Sequence, residues 1–331
     1  MDEAVEKRVI ELRAREAGRG REARTPTQMP ARGWKDILWR VYEEIGNDRV
    51  GTIAAGTTFF VLLALFPALG AFISLYGLVA DPGTVQAHIN DVSGYVPSAV
   101  LDLIGSEMKR LAEGQNDRKL GFAFLTGLAL ALWSANNGVK ALFDALNVAY
   151  DEQEKRGFIK LTLVSLSFTA GALVFLILVI AVVGGVPLVV KYLNLGPVGD
   201  ALVAILPALA LFGVASAGIA LLYRYGPSRA TPKWRWVTPG SLAAALVWLV
   251  GSALFSWYLS NFADYAATYG SLGAVIGAMT WIYLSMWIVL VGAELNSEME
   301  HQTAEDTTTG PPKPLGKRGA AMADRVGPAK A

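Results

Sequence analysis

The sequence predicts an all-α fold, a polytopic membrane helix bundle with six transmembrane helices. Of its 331 residues, 53% are hydrophobic and 17% are charged, whereas soluble domains carry about 25% charged residues. The chain also contains six uncharged runs of at least 20 residues, and about 20 apolar residues are enough to span a bilayer. These runs are Val50–Ala80, Leu120–Val139, Leu161–Val190, Ala201–Tyr223, Trp236–Ala263 and Tyr265–Ala293.

The distribution of basic residues predicts that the N- and C-termini are both cytoplasmic. In that orientation 23 of the 29 Lys and Arg residues lie in cytoplasmic segments and five lie in outer connections, while Lys140 falls inside or near a span. An excess of Lys and Arg marks the cytoplasmic loops of membrane proteins. Because about 50 mostly polar residues precede the first apolar run, we expect that run to act as an uncleaved insertion signal.

The segment before the first span is predicted to have two parts. Residues 1–33 are expected to form a flexible, charged arm, since the second half is rich in Arg, Gly, Pro and Thr. From Trp34 onward, apolar residues recur at helical spacing opposite charged ones, which predicts an N-terminal interfacial amphipathic helix at the inner membrane surface. The apolar positions are Trp34, Ile37, Leu38, Val41 and Ile45.

The membrane domain is predicted to cover residues 34–298. Its large outer connection, about residues 81–119, is too long for a structureless loop, and apolar residues at helical spacing predict an outer helical loop between spans 1 and 2. Residues 299–331 lack an apolar period and are expected to form a disordered C-terminal tail. The expected spans are about 52–79, 120–141, 161–184, 201–223, 237–260 and 271–293.

Two prolines are predicted to kink membrane helices and to permit gating. Pro67 lies in the first span and Pro207 in the fourth, and a proline inside a helix removes an amide donor and clashes with the preceding turn. The apolar strings around them are similar, and spans one and four run in opposite directions. Either an inverted repeat of three plus three helices or a chance similarity of Leu/Ala-rich strings explains this likeness.

Polar residues enter the second span at helical spacing. Asn136, Lys140 and Asp144 recur every four residues, with Asn137 beside the first of them and Asn147 following at i+3. One interpretation is a polar stripe that contacts substrate along a transport pathway. In the other, Lys140 extends to the lipid headgroups and pairs with Asp144, and the asparagines cap neighbouring helices.

Two more charged residues are expected near the same inner end of the bundle. Arg224 follows the fourth span and Glu294 ends the sixth. Together with Lys140 and Asp144 they predict an ion-pair cluster, which would either latch the helices or line an inner vestibule. These residues complete the set of substrate-pathway candidates.

The residues that common enzymes use are scarce. The chain has no cysteine and two histidines, His88 and His301, on opposite sides of the predicted membrane. It contains no phosphate-binding glycine loop, nucleophile elbow, zinc-protease motif or dinucleotide fingerprint. We therefore predict no catalytic residues, metal or cofactor, no nucleic-acid partner and no ATP-driven transport by the chain alone.

Several strings in the same order are similar to the YihY/BrkB family of bacterial inner-membrane proteins, from about Trp34 to Glu298. They are Ala54–Pro67, Trp133–Tyr150, Tyr223–Pro227, Pro239–Gly240, Phe255–Tyr258, Tyr269–Ile276 and Gly292–Asn296. The resemblance implies six spans with cytoplasmic ends in the bacterial inner membrane, a virulence label and a role in moving lipid-like compounds. It also implies an older label as ribonuclease BN, which is regarded as a misassignment. Packing candidates that match family motifs are Pro239, Gly240, Tyr269, Gly270, Gly273 and Asn296.

Three functions follow as hypotheses. The first is a transporter or flippase for lipid-like, amphipathic compounds, with membrane lipids as partners. The second is an envelope scaffold or assembly protein that acts through contacts alone, as a homo-oligomer or with an envelope protein partner. The third, a membrane-bound ribonuclease, would need an acid, base or metal cluster, which the two distant histidines do not provide.

Overall fold

The computed structural model describes residues 10–76, 105, 120–193, 196–261 and 272–330. Within these residues the chain is helical, and its β structure is limited to an isolated bridge between Pro232 and Thr308. The predicted all-α class is therefore confirmed for the described residues. The predicted outer helical loop at 81–119, apart from residue 105, lies outside them, as do Tyr269 and Gly270.

The α-helices whose bounds the structure gives are numbered in chain order. We label them α1 (Ala31–Asn47), α2 (Val50–Tyr76), α3 (Leu120–Ala149), α4 (Phe158–Leu193), α5 (Gly196–Tyr225), α6 (Trp234–Asn261), α7 (Gly273–Gln302) and α8 (Ala321–Asp324). Helices α2 to α7 overlap the six predicted spans, and several of them extend beyond the predicted bounds.

Four of these helices contain stretches that are long and apolar enough to cross a membrane. They are Phe158–Val179, Ile205–Tyr225, Trp234–Asn261 and Gly273–Gln302, and α2 contributes the shorter apolar stretch Val50–Ala64. The structure thus supports a multi-pass membrane protein with four candidate spans among the described residues.

Helix α7 is the centre of the bundle. It packs against α1, α2, α3, α6 and α8, while α3 to α6 follow one another as neighbours and α2 packs against α3. The largest apolar cluster joins α2, α3, α5, α6 and α7, and it includes Leu146, Tyr223, Val237 and Leu290, each at most 1% exposed. We call this end of the bundle, where α1, the 150–157 and 226–233 loops and the C-terminal segment meet, the polar end.

Helix α1 forms as predicted, but it turns a partly different face toward the protein. Ile37 and Val41 are buried against α7 and its surroundings, whereas Leu38 and Tyr42 are 57% and 79% exposed. Asp36, which the helical pattern places on the charged face, is instead buried at 1% exposure, and Arg40 is buried at 3%. Their ion pairs with residues outside α1 explain this difference, since local periodicity does not reveal distant partners.

Residues 10–33 and 299–330, the described parts of the two chain ends, differ from the predicted flexible arm and disordered tail. Arg21 is 2% exposed and donates to the carbonyl oxygens of Gln302 and Gly327 and to the carboxylate of Glu16. Helix α7 continues to Gln302, and the residues after it pack on the polar end. Buried hydrogen bonds from arginine to backbone carbonyls order these segments, and low apolar content does not predict such bonds.

Arg318 holds the C-terminal segment together. Its guanidinium donates to the carbonyl oxygens of Ala304, Glu305, Lys313 and Ala323, and the residue is 4% exposed. Arg318→Ala leaves these acceptors without their donor, which costs about 2 kcal/mol or more in local stability. We expect amide hydrogen exchange between residues 318 and 327 to accelerate about tenfold or more.

The control for that measurement is Arg325→Ala. Arg325 forms an ion pair with Asp151 at 2.7 Å, but both side chains are about half exposed. Exposed pairs contribute about 0–1 kcal/mol, so exchange should stay close to that of the unmodified chain. Equal exchange in Arg318→Ala and Arg325→Ala would show that the guanidinium does not order the segment.

Candidate functional site

Asn296 joins α7 to the part of α6 that contains a proline. Its Oδ1 accepts from the backbone N–H of Gly240 at 2.9 Å, and its Nδ2 donates to the carbonyl of Val237 at 2.9 Å. Pro239, which lies inside α6, cannot donate a backbone hydrogen bond and disturbs the helical ladder around it. The Asn296 amide therefore satisfies backbone groups beside the proline while it fixes α6 on α7.

Two glycines let these helices approach each other. A Cβ atom placed on Gly240 would clash with Asn296 and with the carbonyl of Gly292, and one placed on Gly292 would lie 2.7 Å from the Cβ of Ala244. Tyr223 of α5 is fully buried at the same level and donates to the carbonyl of Val289 at 2.6 Å. The polar end is therefore closed where α5, α6 and α7 meet. Gly273, another motif residue, is buried at the opposite end of α7.

A buried ion pair ties the 226–233 loop to the end of α7. Arg229 Nη2 lies 2.5 Å from Glu300 Oε1, and both side chains are 0% exposed. The guanidinium also lies over the ring of Tyr150, with its Cζ 4.3 Å from the ring centroid, and Thr307 donates to Glu300 Oε2 at 2.7 Å. Burial raises the pKa of the Tyr150 phenol well above its usual value, a change that Arg229 opposes, so the phenol is neutral.

Asn147, the last of the predicted polar residues on α3, orders two loops. It is 4% exposed, its Oδ1 accepts from the backbone N–H of Ser228 at 2.7 Å, and its Nδ2 lies 3.3 Å from Glu154. The hydrogen bonds from Arg156 lower the pKa of Glu154 to about 2, so this carboxylate is ionised at neutral pH. Asn147 therefore contributes to the structure of the polar end.

The rest of the predicted stripe is divided between two sides of α3. Asn136 is 1% exposed, and its Oδ1 has no hydrogen-bond partner among the described residues. Asn137 and Asp144 are exposed, and Lys140 is half-buried between them. Asn137, Lys140 and Asp144 share the outer face of α3 with Trp133, which is 57% exposed.

Lys140 points toward the start of α4. Its Nζ donates to Thr162 Oγ1 at 3.1 Å, and it lies 6.0 Å from the ring centroid of Trp133 and 5.3 Å from that of Phe158. We call Lys140, Trp133, Phe158 and Thr162 the Lys140 site. The predicted pairing of Lys140 with Asp144 is not among the ion pairs of the described residues.

The predicted ion-pair cluster is absent from the described residues, because its members have separate surroundings. Arg224 donates to the carbonyl of Pro232 and stacks on Trp234, with its Cζ 4.4 Å from the ring centroid. Glu294 is 0% exposed and faces Asp48 instead of Lys140 or Arg224. A charged side chain at the end of a span can thus bond to any of several neighbouring groups, and its position in the sequence does not determine which one.

The two predicted kink positions lie inside continuous helices. Pro207 is buried within α5, which runs from Gly196 to Tyr225. Pro67 falls within α2, in the stretch whose side chains lie outside the described residues. Their role in gating remains a prediction.

A surface groove opens at the polar end. It has a volume of about 600 Å³ and lies between the 150–157 loop, the end of α1 and the C-terminal segment. Its charged lining residues are Asp48, Asp151, Glu152, Lys155, Asp324 and Arg325. Neither Lys140 nor Arg224 lines it, so it does not join the predicted pathway residues. Among the described residues, no group of three or more His, Asp or Glu side chains is arranged to hold a metal ion.

Sequence reasoning missed the most buried charges of this region. Arg40 donates to the carboxylate of Glu298, to Gln302 Oε1 at 2.7 Å and to the carbonyl of Pro328 at 2.8 Å. Glu298 and Glu300 follow the apolar run of α7, at the predicted border between the membrane domain and the tail. Glu298 lies four residues after Glu294 and continues the helical period, a signal that could have extended α7 beyond the predicted span.

Comparison with known proteins identifies related membrane proteins. A family profile described as virulence factor BrkB matches residues 41–315. The ribonuclease-like protein YfkH of Bacillus subtilis is 34% identical over 269 residues, which cover 80% of this chain and 93% of the relative. Membrane proteins of the UPF0761 group are also similar: PSHAa0171 of Pseudoalteromonas translucida is 27% identical over 83% of this chain and 88% of its own length. NTHI0384 of Haemophilus influenzae is 23% identical over 80% of this chain and 94% of its own. No solved structure matches the chain significantly.

Proposed function

The chain belongs to the BrkB family of membrane proteins, and we propose that it moves anionic, lipid-like compounds along the outer face of α3. In this proposal the bundle has six spans in the bacterial inner membrane, with the polar end and both termini in the cytoplasm. The bias of Lys and Arg toward segments at this end supports the orientation. The lipid bilayer is the source and the destination of the substrate.

The observation that carries the proposal is the exposed polar stripe on α3. Asn137 and Asp144 are exposed on the same face as Trp133, and Lys140 lies between them. Polar residues that face lipid at membrane depth raise the free energy of the protein. A stripe of them on an outer face therefore favours a function in which polar groups of a substrate contact the stripe. A lipid headgroup could follow these residues while its acyl chains stay in the bilayer.

The Lys140 site has the chemistry to bind a phosphate. An ammonium group has three donors, and one of them bonds to Thr162 Oγ1. No carboxylate pairs with Lys140 in the part of the chain that the structure describes. The exposed rings of Trp133 and Phe158, at 57% and 70% exposure, flank it and suit the boundary between headgroups and acyl chains. The remaining donors can therefore face an anionic headgroup.

The closed polar end favours a surface path over a central pore. Tyr223, Asn296 and the pair of Arg229 with Glu300 fill the space between α5, α6 and α7 with buried hydrogen bonds. A substrate that passed between these helices would have to break those bonds. A route along α3 leaves them intact.

A flux measurement tests the Lys140 site. We expect Lys140→Ala to slow the movement of fluorescent phosphatidylglycerol between leaflets of phosphatidylcholine proteoliposomes about tenfold or more, because a charge-assisted hydrogen bond contributes about 1.5–3 kcal/mol. Movement of a fluorescent phosphatidylcholine should change less, since its headgroup carries no net charge. Lys160→Ala, which removes an exposed lysine of α4 outside the stripe, is the matched control.

Two results would contradict the proposal. If lipid moves at the same rate in protein-containing and protein-free vesicles, the protein does not move lipid. If the unmodified chain, Lys140→Ala and Lys160→Ala move lipid at the same rate, Lys140 does not contact the substrate. Arg224→Ala extends the test to another substrate-pathway candidate, which in the structure stacks on Trp234.

The second candidate function is an envelope scaffold, and the dense polar end favours it. The ordered chain ends and the groove of about 600 Å³ provide a fixed surface on which a partner could dock. A protein that co-purifies stably with the unmodified chain, is lost on Asp324→Ala or Lys155→Ala, and is accompanied by no lipid movement would support the scaffold. We propose no enzymatic activity: the ribonuclease-like name belongs to the Bacillus relative, and the absence of catalysis in this chain remains a prediction.

A further inference from the structure

Glu294 is a buried acid with no donor to neutralise it. The residue is 0% exposed, and neither carboxylate oxygen accepts a hydrogen bond from any described residue. The neighbouring acids on α7 are different, since Glu298 pairs with Arg40 and Glu300 pairs with Arg229. A buried carboxylate without a cation or donors is unstable in its charged form.

The group that faces Glu294 is another carboxyl group. The side chains of Glu294 and Asp48 lie within hydrogen-bonding reach of each other. Two ionised carboxylates offer only acceptors, so a hydrogen bond between them forms only when one carries a proton. Because Glu294 is fully buried and its oxygens have no donor among the described residues, a proton shared with Asp48 would satisfy the pair.

The surrounding charges also favour a proton in this pair. The ionisable groups that act on the pair are Glu44 from α1, Glu298 from α7, Asp151 from the following loop and the phenol of Tyr150. All of them are acids, and Arg40 is engaged by Glu298. Burial and the neighbouring acids Asp151 and Glu298 raise the pKa of Asp48, and burial together with Asp48 raises that of Glu44.

Water can reach the pair from one side. Asp48 lines the groove at the polar end and is partly exposed, whereas Glu294 has no exposed surface. The groove therefore offers a route for protons to Asp48 and through it to Glu294. Asp48 also ends α1, and Arg49, the next residue, has a left-handed φ of 52°, a conformation that is uncommon for residues other than glycine.

We propose that Glu294 and Asp48 form a proton-binding site that fastens the corner between α1 and α2 to the central helix α7. With one shared proton the two carboxyl groups bond to each other. With none, two negative charges repel in a buried place, and the corner separates from α7. The site thus links the position of α1 at the membrane surface to cytoplasmic pH, whatever compound the protein moves.

The sign of the pH effect follows from the shared proton. Because the folded state holds the proton more tightly than the unfolded state, the contribution of the pair to stability is present at low pH and is lost as the pH rises through the titration of the pair. We expect the melting temperature in detergent to fall by about 3 °C or more between mildly acidic and mildly alkaline pH. Glu294→Gln should remove most of this dependence.

Infrared spectroscopy on the full chain in detergent detects the proton directly. The unmodified chain should show the C=O stretch of a protonated carboxyl group at neutral pH, and both Glu294→Gln and Asp48→Asn should lose it or shift it. Asp48→Asn keeps the test open if Glu294→Gln does not fold. Glu43→Gln, which alters an exposed acid of α1, is the matched control and should keep both the band and the pH dependence.

Two outcomes would overturn the proposal. The first is an unchanged band and unchanged pH dependence in both Glu294→Gln and Asp48→Asn. The second is a melting temperature that rises with sodium concentration at constant pH and ionic strength, with the rise lost in Glu294→Gln. That result would show that the two carboxylates bind a sodium ion instead of a proton.

Discussion

Replacing Gly240 by alanine is expected to destabilise the protein by about 1–3 kcal/mol or more, as overpacking of a close contact does. The added Cβ atom would overlap Asn296 and the carbonyl of Gly292, which are held in place by backbone hydrogen bonds and by the packing of α7. Relief of the clash would separate α6 from α7 and weaken both hydrogen bonds of Asn296. Thermal unfolding in detergent, followed by far-ultraviolet circular dichroism, measures the loss.

The sign of this effect makes the test specific. In a helix interior with free space, glycine to alanine stabilises by about 1 kcal/mol, so destabilisation at Gly240 must come from the contact between helices. Gly251 lies in the same helix, and a Cβ there would meet only Ile288, at an ordinary 3.5 Å. Gly251→Ala should therefore be neutral or stabilising. A Gly240→Ala protein as stable as Gly251→Ala would show that α6 and α7 do not approach each other this closely.

Local signals in the sequence predicted the helices well, because hydrophobicity and length act within one segment. The uncharged runs correspond to α2 to α7, and the apolar spacing from Trp34 predicted α1. The same signals do not determine which face of α1 is buried. Asp36 pairs with Arg19, and Arg40 pairs with Glu298, which is 258 positions away.

The candidate site was predictable only in part, and for the same reason. The four-residue spacing predicts one polar stripe along α3, but Asn136 is buried and the adjacent Asn137 is exposed. The importance of Gly240 and Asn296 followed from the resemblance to a family, whereas their contact depends on the packing of α6 against α7. Glu294 was expected among basic partners, yet the turn after α1 brings Asp48 to it.

Composition does not predict the order of the segments before α1 and after α7. A segment rich in Pro, Gly, Thr and Lys buries little apolar surface and therefore predicts disorder. Here the order comes from arginine side chains that each satisfy several backbone carbonyls, as Arg21 and Arg318 do. Such bonds join the segment before α1 to the segment after α7, and neither segment alone contains the signal.

Removing Arg229 is expected to produce the other large effect on stability. Arg229→Leu would leave Glu300 fully buried with one hydroxyl donor, from Thr307, to stabilise its charge. Breaking a buried ion pair by removing one partner costs about 3–5 kcal/mol, a large share of the stability of a typical protein. The same thermal measurement should show it, and Arg24→Ala, which removes an exposed and longer pair with Glu305 at 3.8 Å, should change stability by less than about 1 kcal/mol.

The double variant Arg229→Met with Glu300→Leu separates the charge of the pair from its packing. Replacing both members of a buried pair by apolar residues of similar volume is often neutral or stabilising, so the double variant should be more stable than Arg229→Leu. Full recovery would mean that the pair serves mainly to specify how the 226–233 loop docks on α7. Incomplete recovery would measure the stacking of Arg229 on Tyr150, a contact that methionine replaces only in part. A single variant as stable as the unmodified chain would show instead that Glu300 finds another partner or is exposed to water, and the buried pair would then not hold this loop.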